Sequence, residues 1–149
     1  MLDPSAVAVL AFPEVAIFEL AVPCEVFGVD RSDMELPNYK LWICGVEPGP
    51  IPVKGGLMSI EAPYGLDQAK RAGTLVVPAG PVNTMRLAPA LVDTVRTAYE
   101  AGARILSICS GAFILAAAGL LDGRRATTHW MYTMQLAERY PSVRVDPKV

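Results

Sequence analysis

Arg104-Ile105-Leu106-Ser107-Ile108-Cys109-Ser110-Gly111-Ala112-Phe113-Ile114-Leu115 reads as a short apolar strand running straight into a helix, with a cysteine at the turn. A side chain held there stands at the mouth of a parallel sheet, beside the backbone N–H groups of a helix start. Those groups and the helix dipole favour negative charge, so the sequence predicts a lowered pKa for the Cys109 thiol. Gly111 lets the helix pack close to the strand, as small residues do in nucleophile elbows.

The rest of the chain alternates in the same way. Ala6 to Phe12 is a continuous apolar run, the mark of a strand buried on both faces. Proline is tolerated only in the first turn of a helix, so Pro23 predicts a helix from about Ala21 to Val29, with Glu19 in the loop before it. Leu41 to Val46 reads as a second strand, followed by a turn-rich excursion punctuated by Pro48, Gly49, Pro50, Pro52, Gly55 and Gly56. Leu57 to Ala62 reads as an edge strand or hairpin arm, and Thr74 to Pro78 as a buried strand ending at Gly80. Leu87, Leu91, Val95 and Ala98 follow helical spacing, predicting a helix over Pro89 to Ala101 closed by Gly102. Arg104 to Ile108 is the strand before the cysteine, and Ala112 to Ala118 the helix after it, closed by Gly119. Arg125 to Thr128 is a short strand leading to His129. Met131 to Tyr140 is a helix with Met131, Met134, Leu136 and Ala137 inward, and Val143 to Val145 opens one more strand. Strands alternating with helices imply a mostly parallel sheet covered on both faces.

Composition narrows the function classes. A chain of 149 residues, 52% hydrophobic and 19% charged, suits one globular domain with a real core. A net charge of -2 argues against a nucleic-acid surface within these residues. The mixed cluster Asp67, Lys70 and Arg71 and the pair Arg124-Arg125 read as solvated turns. Three cysteines, Cys24, Cys44 and Cys109, without metal spacing, read as free thiols in a reducing, cytoplasmic setting. The apolar run Ala112 to Leu121 falls short of a membrane span, and no metal or cofactor is expected.

Binding sites in parallel sheets lie at the carboxyl ends of strands, where Glu19, Gly80, Cys109 and His129 all fall. Cys24 and Cys44 read as small buried hydrophobes, whereas Cys109 reads as a reactive or ligand-facing thiol. Glu19, among apolar neighbours, is either a charge at a helix N-terminus or an acid aimed at the site and able to share a proton with the thiol. His129, the single histidine, is a structural hydrogen-bonder or a candidate base and ligand donor. Gly80 offers an unhindered backbone N–H to an anion, or is simply a strand-ending turn. Ser110 adds a hydroxyl and an N–H beside Gly111, while Thr127 and Thr128 are assigned to the strand.

Across all 149 positions these segments resemble the ThiJ/PfpI superfamily. The carriers are Glu19-Leu20-Ala21-Val22-Pro23 with Glu25-Val26-Phe27, then Val76-Val77-Pro78-Ala79-Gly80, Ile108-Cys109-Ser110-Gly111 and Ala126-Thr127-Thr128-His129-Trp130. The resemblance implies a class I glutamine-amidotransferase-like, flavodoxin-like three-layer α/β/α sandwich, with Glu19, Cys109 and His129 in one pocket. Within it, Val46-Glu47-Pro48-Gly49-Pro50, Ala62-Pro63-Tyr64-Gly65-Leu66 and Leu120-Leu121-Asp122-Gly123-Arg124-Arg125 are similar to the amino-terminal domain of AraC-type regulators of the FtrA/GlxA kind.

That likeness implies a small-molecule ligand held by Glu19, Gly80, Cys109, Ser110, Gly111 and His129, and a homodimer. It further implies a last strand and helix, and a helix-turn-helix DNA-binding domain, outside residues 1–149. Ser110 stands where many catalytic relatives carry histidine. The isocyanide-hydratase branch is also similar but carries Asp where this chain has Glu19. Three functions follow as expectations: a sensing domain of a regulator, a cysteine-dependent hydratase or hydrolase, and a cysteine-oxidation sensor.

Overall fold

In the computed structural model, residues 1–83 and 88–148 are described; Leu87, placed on the helical spacing above, lies outside them. The apolar run forms strand β1 (Asp3–Leu10), and Ala6 to Phe12 are buried almost completely. Beside it lie β2 (Lys40–Cys44), β5 (Ala72–Val77) and β6 (Arg104–Ser107), all parallel, in the order β2-β1-β5-β6.

Four helices flank this sheet: α1 (Ile17–Gly28), α2 (Leu66–Ala69), α3 (Pro89–Glu100) and α4 (Ala112–Ala117). The β1-to-β2 and β5-to-β6 crossovers run in opposite directions along the sheet. Right-handed connections therefore place α1 on one face and α3 on the other, where α3 contacts α2 and α4. The covering is less complete than the sequence predicts. Helix α1 lies against β1 and β2, so the Arg104 and Leu106 side of β6 stays exposed.

Helix α1 starts a turn earlier than the Pro23 rule predicts, which moves Glu19 from the loop into the helix's first turn. Leu20 N–H bonds the Ala16 carbonyl (3.1 Å) and so begins the ladder upstream of the proline. Pro23 is buried mid-helix, and its missing N–H leaves the Glu19 carbonyl without its usual partner. Phe18, Val22 and Val26, one helical turn apart, form an exposed apolar stripe along α1.

The turn-rich excursion contains structure that its prolines hide. Strand β3 (Gly49–Pro52) pairs antiparallel with β4 (Ser59–Ala62), forming a hairpin outside the main sheet. Prolines are accepted there because an isolated hairpin leaves alternate N–H positions unpaired. The loop after β1 is fastened to this hairpin. Glu14 N–H bonds the Pro52 carbonyl (3.1 Å), and Lys54 N–H bonds the Val15 carbonyl (3.0 Å). Two further bonds, Ala11 N–H to Cys44 O (2.8 Å) and Ala16 N–H to Ala79 O (2.9 Å), tie the loop to the ends of β2 and β5.

The carboxyl-terminal third adds a two-stranded parallel pair, β7 (Arg125–Ala126) and β8 (Arg144–Val145), with α5 (Thr133–Arg139) between them. Phe113, Ala116, Leu136 and Val143 form a second small core joining α4, α5 and the segment before β8. Leu136 points inward as expected, but Met131, Met134 and Ala137 are exposed. The helical period begins only at Thr133, after a 3-10 turn over Trp130–Tyr132, so the inward face carries Thr133 and Leu136 instead.

Candidate functional site

Strand β6 ends at a sharp corner. Ile108 is extended and its N–H bonds the Val77 carbonyl (3.0 Å), after which Cys109 adopts φ +55° at the head of a 3-10 turn, Cys109–Gly111. The left-handed region costs a residue with a side chain about 1–3 kcal/mol, so the surroundings must hold it. Two features do. Thr128 Oγ1 donates to the Cys109 carbonyl (3.0 Å). Gly111 also presses against β5 so tightly that a Cβ there would lie 2.3 Å from the Val77 carbonyl oxygen. Thr127 and Thr128 lie beyond β7, which ends at Ala126, and Thr128 braces the corner rather than extending the strand.

A cavity of about 260 Å³ opens beside the cysteine, lined among others by Glu19, Lys54, Gly80, Cys109, Ser110 and His129. Five of the residues that the sequence picks out thus border one space. Gly111 does not line it; it is buried and faces β5. A second cavity of about 290 Å³ adjoins the first through Lys54, Gly80 and Tyr132 and includes Glu14 and Asn83. A third, about 270 Å³, lies against Ser107, Cys109, Thr127, Thr128 and His129.

The electrostatics of Cys109 reverse the expectation from the sequence. Burial is the largest influence and pushes the thiol up from 9.0; the neighbouring Glu19 carboxylate adds to the rise. The Ser110 N–H and the Lys54 ammonium pull the other way without prevailing. Only one N–H of the turn counts here, and α4 has just six residues behind it, so the dipole contribution is small. On balance these influences favour the neutral thiol over the thiolate. Burial likewise raises Cys24 and pushes Cys44, fully buried in β2, up to about 12.

Two other expected roles change. The Gly80 N–H donates to Ser110 Oγ (3.1 Å), and that hydroxyl donates back to the Gly80 carbonyl (2.9 Å). This staple occupies the N–H that would otherwise face an anion. A Cβ on Gly80 would lie 2.2 Å from the Phe12 ring, so glycine here reflects close packing. His129 caps the 3-10 turn: its Nδ1 accepts from Met131 N–H (3.3 Å), which keeps the ring hydrogen on Nε2. The ring stacks on Trp130 (centroids 5.6 Å, 30°) and sits beside Tyr132. Among the described residues, no hydrogen bond joins His129 to Cys109.

Lys54 is the site residue that sequence reasoning misses. It lies in the β3–β4 turn, far from every strand end that attracts attention. Its one sequence signal is an isolated cation before Gly55-Gly56. Among the described residues no group of His, Cys, Asp and Glu could hold a metal ion, and no helix is long and apolar enough to cross a membrane.

A model of the DJ-1/PfpI family matches residues 5–146. An uncharacterized protein in the cpoL 5' region of Streptomyces lividans is 37% identical over 145 residues, covering 93% of this chain and 97% of that protein. The HTH-type transcriptional regulator CdhR of Pseudomonas aeruginosa is 36% identical over 111 residues, covering 74% of this chain but 33% of its own length. Isonitrile hydratase of Pseudomonas putida is 28% identical over 124 residues, 83% of this chain and 51% of the hydratase. The crystal structure of an AraC family transcriptional regulator from Pseudomonas putida superposes with a TM-score of 0.78 over 97% of this chain and 77% of its own. At 21% identity that likeness speaks for the flavodoxin-like fold.

Proposed function

This chain belongs to the DJ-1/PfpI family, and on that premise we propose that it is the ligand- or signal-sensing domain of an AraC-family transcriptional regulator. The cavity beside Cys109 takes a small metabolite, and contact with DNA falls to a helix-turn-helix domain outside these residues. The match to CdhR supports the reading, since it spans only a third of that regulator. So does the net charge of -2, which suits a sensing module better than a DNA surface. The protein works in the cytoplasm as a homodimer, and the apolar stripe of Phe18, Val22 and Val26 offers a surface for pairing.

One observation carries the proposal. The cavity gathers Glu19, Lys54, Cys109 and His129, yet burial and Glu19 disfavour the thiolate and the Gly80 N–H is engaged by Ser110. Recognition groups are in place while an activated nucleophile and an open oxyanion donor are not. The test is thermal unfolding of the purified chain against a library of small metabolites, repeated with Glu19→Gln and His129→Ala. A metabolite that raises the midpoint in the parent chain and not in the variants supports sensing. Absence of any stabilising metabolite, or a reading frame that closes after Val149 without helix-turn-helix units, sinks it.

The match to isonitrile hydratase and the left-handed corner at Cys109 favour a second reading. Here the Cys109 sulfur attacks an isocyanide carbon, Glu19 delivers a proton to it, and water then releases the formamide. Formamide production that vanishes in Cys109→Ser would establish it.

A further inference from the structure

We propose that Lys54 selects a singly charged anion for this cavity: a small monocarboxylate-type ligand whose negative end sits on the Lys54 ammonium and whose middle lies against Cys109. The inference rests on the sensing reading above and adds the chemical class of the ligand.

The placement of Lys54 is built into the fold. The Lys54 N–H bonds the Val15 carbonyl (3.0 Å), and Val53 bridges Val15, so the hairpin turn is fixed against the loop that leads into α1. Gly56 N–H closes the turn on the Val53 carbonyl (3.0 Å). Lys54 then borders both adjoining cavities, about 260 Å³ and 290 Å³, which places both at the small end of small-molecule sites. It stands close enough to Cys109 for its charge to act on the thiol.

Four other cations have carboxylate partners: Lys40 pairs with Asp3, Lys70 with Asp67, Arg96 with Asp93 and Arg125 with Asp146. Among the described residues, no ion pair or hydrogen bond engages the Lys54 ammonium. A lysine held by its backbone at a cavity mouth, with no anion of its own, is a receptor for one on a ligand.

A carboxylate limits the charge. Glu19 borders the inner cavity together with Lys54, so a dianion would meet repulsion from Glu19 that a single lysine does not offset. A monoanion with a hydrogen-bond donor directed at Glu19 satisfies both walls.

Iodoacetate and iodoacetamide test this directly. They are nearly isosteric, one anionic and one neutral, and both alkylate the thiolate with loss of iodide. The ratio of their rates at one cysteine therefore cancels that cysteine's own ionisation. Peptide mass spectrometry follows Cys109, Cys24 and Cys44 separately in the intact folded chain. The expected result is an acetate-to-amide ratio at Cys109 about fivefold above that at Cys24. The excess falls as salt is added, disappears in Lys54→Gln and persists in Lys54→Arg. Equal ratios at Cys109 and Cys24, with iodoacetamide still labelling Cys109, would overturn the role of Lys54 and leave the cavity reading standing. If neither reagent labels Cys109 in the folded chain even at alkaline pH, where the thiolate forms, the open cavity itself is refuted, and the proposal with it.

Discussion

Replacing Ser110 by alanine removes the hydroxyl that staples the corner to the end of β5. That hydroxyl is buried, accepts from Gly80 N–H at 3.1 Å and donates to Gly80 O at 2.9 Å, across thirty residues of sequence. Each bond contributes about 1 kcal/mol, and a stranded buried partner costs about 1–3 kcal/mol. Gly80 is half-exposed, so water rescues part of its bonding, and the expected loss is about 2 kcal/mol. For a domain of this size that lowers the unfolding midpoint by roughly 4–8 °C. Urea unfolding of parent and Ser110→Ala at neutral pH measures it directly, with an unchanged denaturant slope as the control for a two-state comparison. The same variant leaves Gly80 N–H free to face the cavity, so it should also bind small anions more tightly than the parent. A stability change under about 0.5 kcal/mol, the size expected of a surface substitution that breaks no buried contact, would refute the staple.

Three further outcomes follow. Cys44 has a folded-state pKa of about 12 against 9.0 when unfolded, so its contribution is full below pH 9 and is lost as pH rises from 9 towards 12. At pH 10.5 about 2 kcal/mol should be missing, and Cys44→Ala should flatten that alkaline decline in urea titrations whatever it costs at pH 7. Gly111→Ala would put a Cβ 2.3 Å from the Val77 carbonyl oxygen and 3.0 Å from that of Pro78, both backbone atoms that cannot swing aside. It should cost about 3 kcal/mol, and calorimetry showing a normal midpoint would contradict the close approach. Cys109→Gly relieves the φ of +55°, whereas Cys109→Ala keeps it. The glycine variant should be the more stable of the two by about 1 kcal/mol, and the reverse order would mean that the corner is unstrained.

The features legible in the sequence are those governed by local rules. A seven-residue apolar run could only be the central strand β1, and Gly102 and Gly119 close α3 and α4 at positive φ as their positions suggest. The convergence of Glu19, Gly80, Cys109, Ser110 and His129 on one cavity follows from strand-end topology alone. Less was legible where distant contacts override local preference. The proline rule misplaces the start of α1 because the loop before it is fastened to β5 and to the hairpin. The prolines of β3 disguise a strand whose partner lies across a turn. Cys109 illustrates the same limit in electrostatics. A helix start argues for a lowered pKa, but burial and Glu19 are tertiary facts, and they prevail. Lys54 reaches the site only through the Val15–Val53 bridge, a pairing that no spacing in the sequence announces.

The fastened loop between β1 and α1 also bears on how this chain folds. Its bonds reach Cys44, Pro52, Lys54 and Ala79, so each closes a long stretch of chain and becomes favourable only after the strands have docked. Such closures predict that the cavity wall assembles late, on the native side of the folding barrier. Substitutions at Val15 or Val53 should accelerate unfolding while leaving the refolding rate nearly unchanged, with φ-values close to zero in a chevron analysis. Nascent chains would pair the central strands before this loop is fastened, and the loop would be among the first parts to open when the protein is stressed.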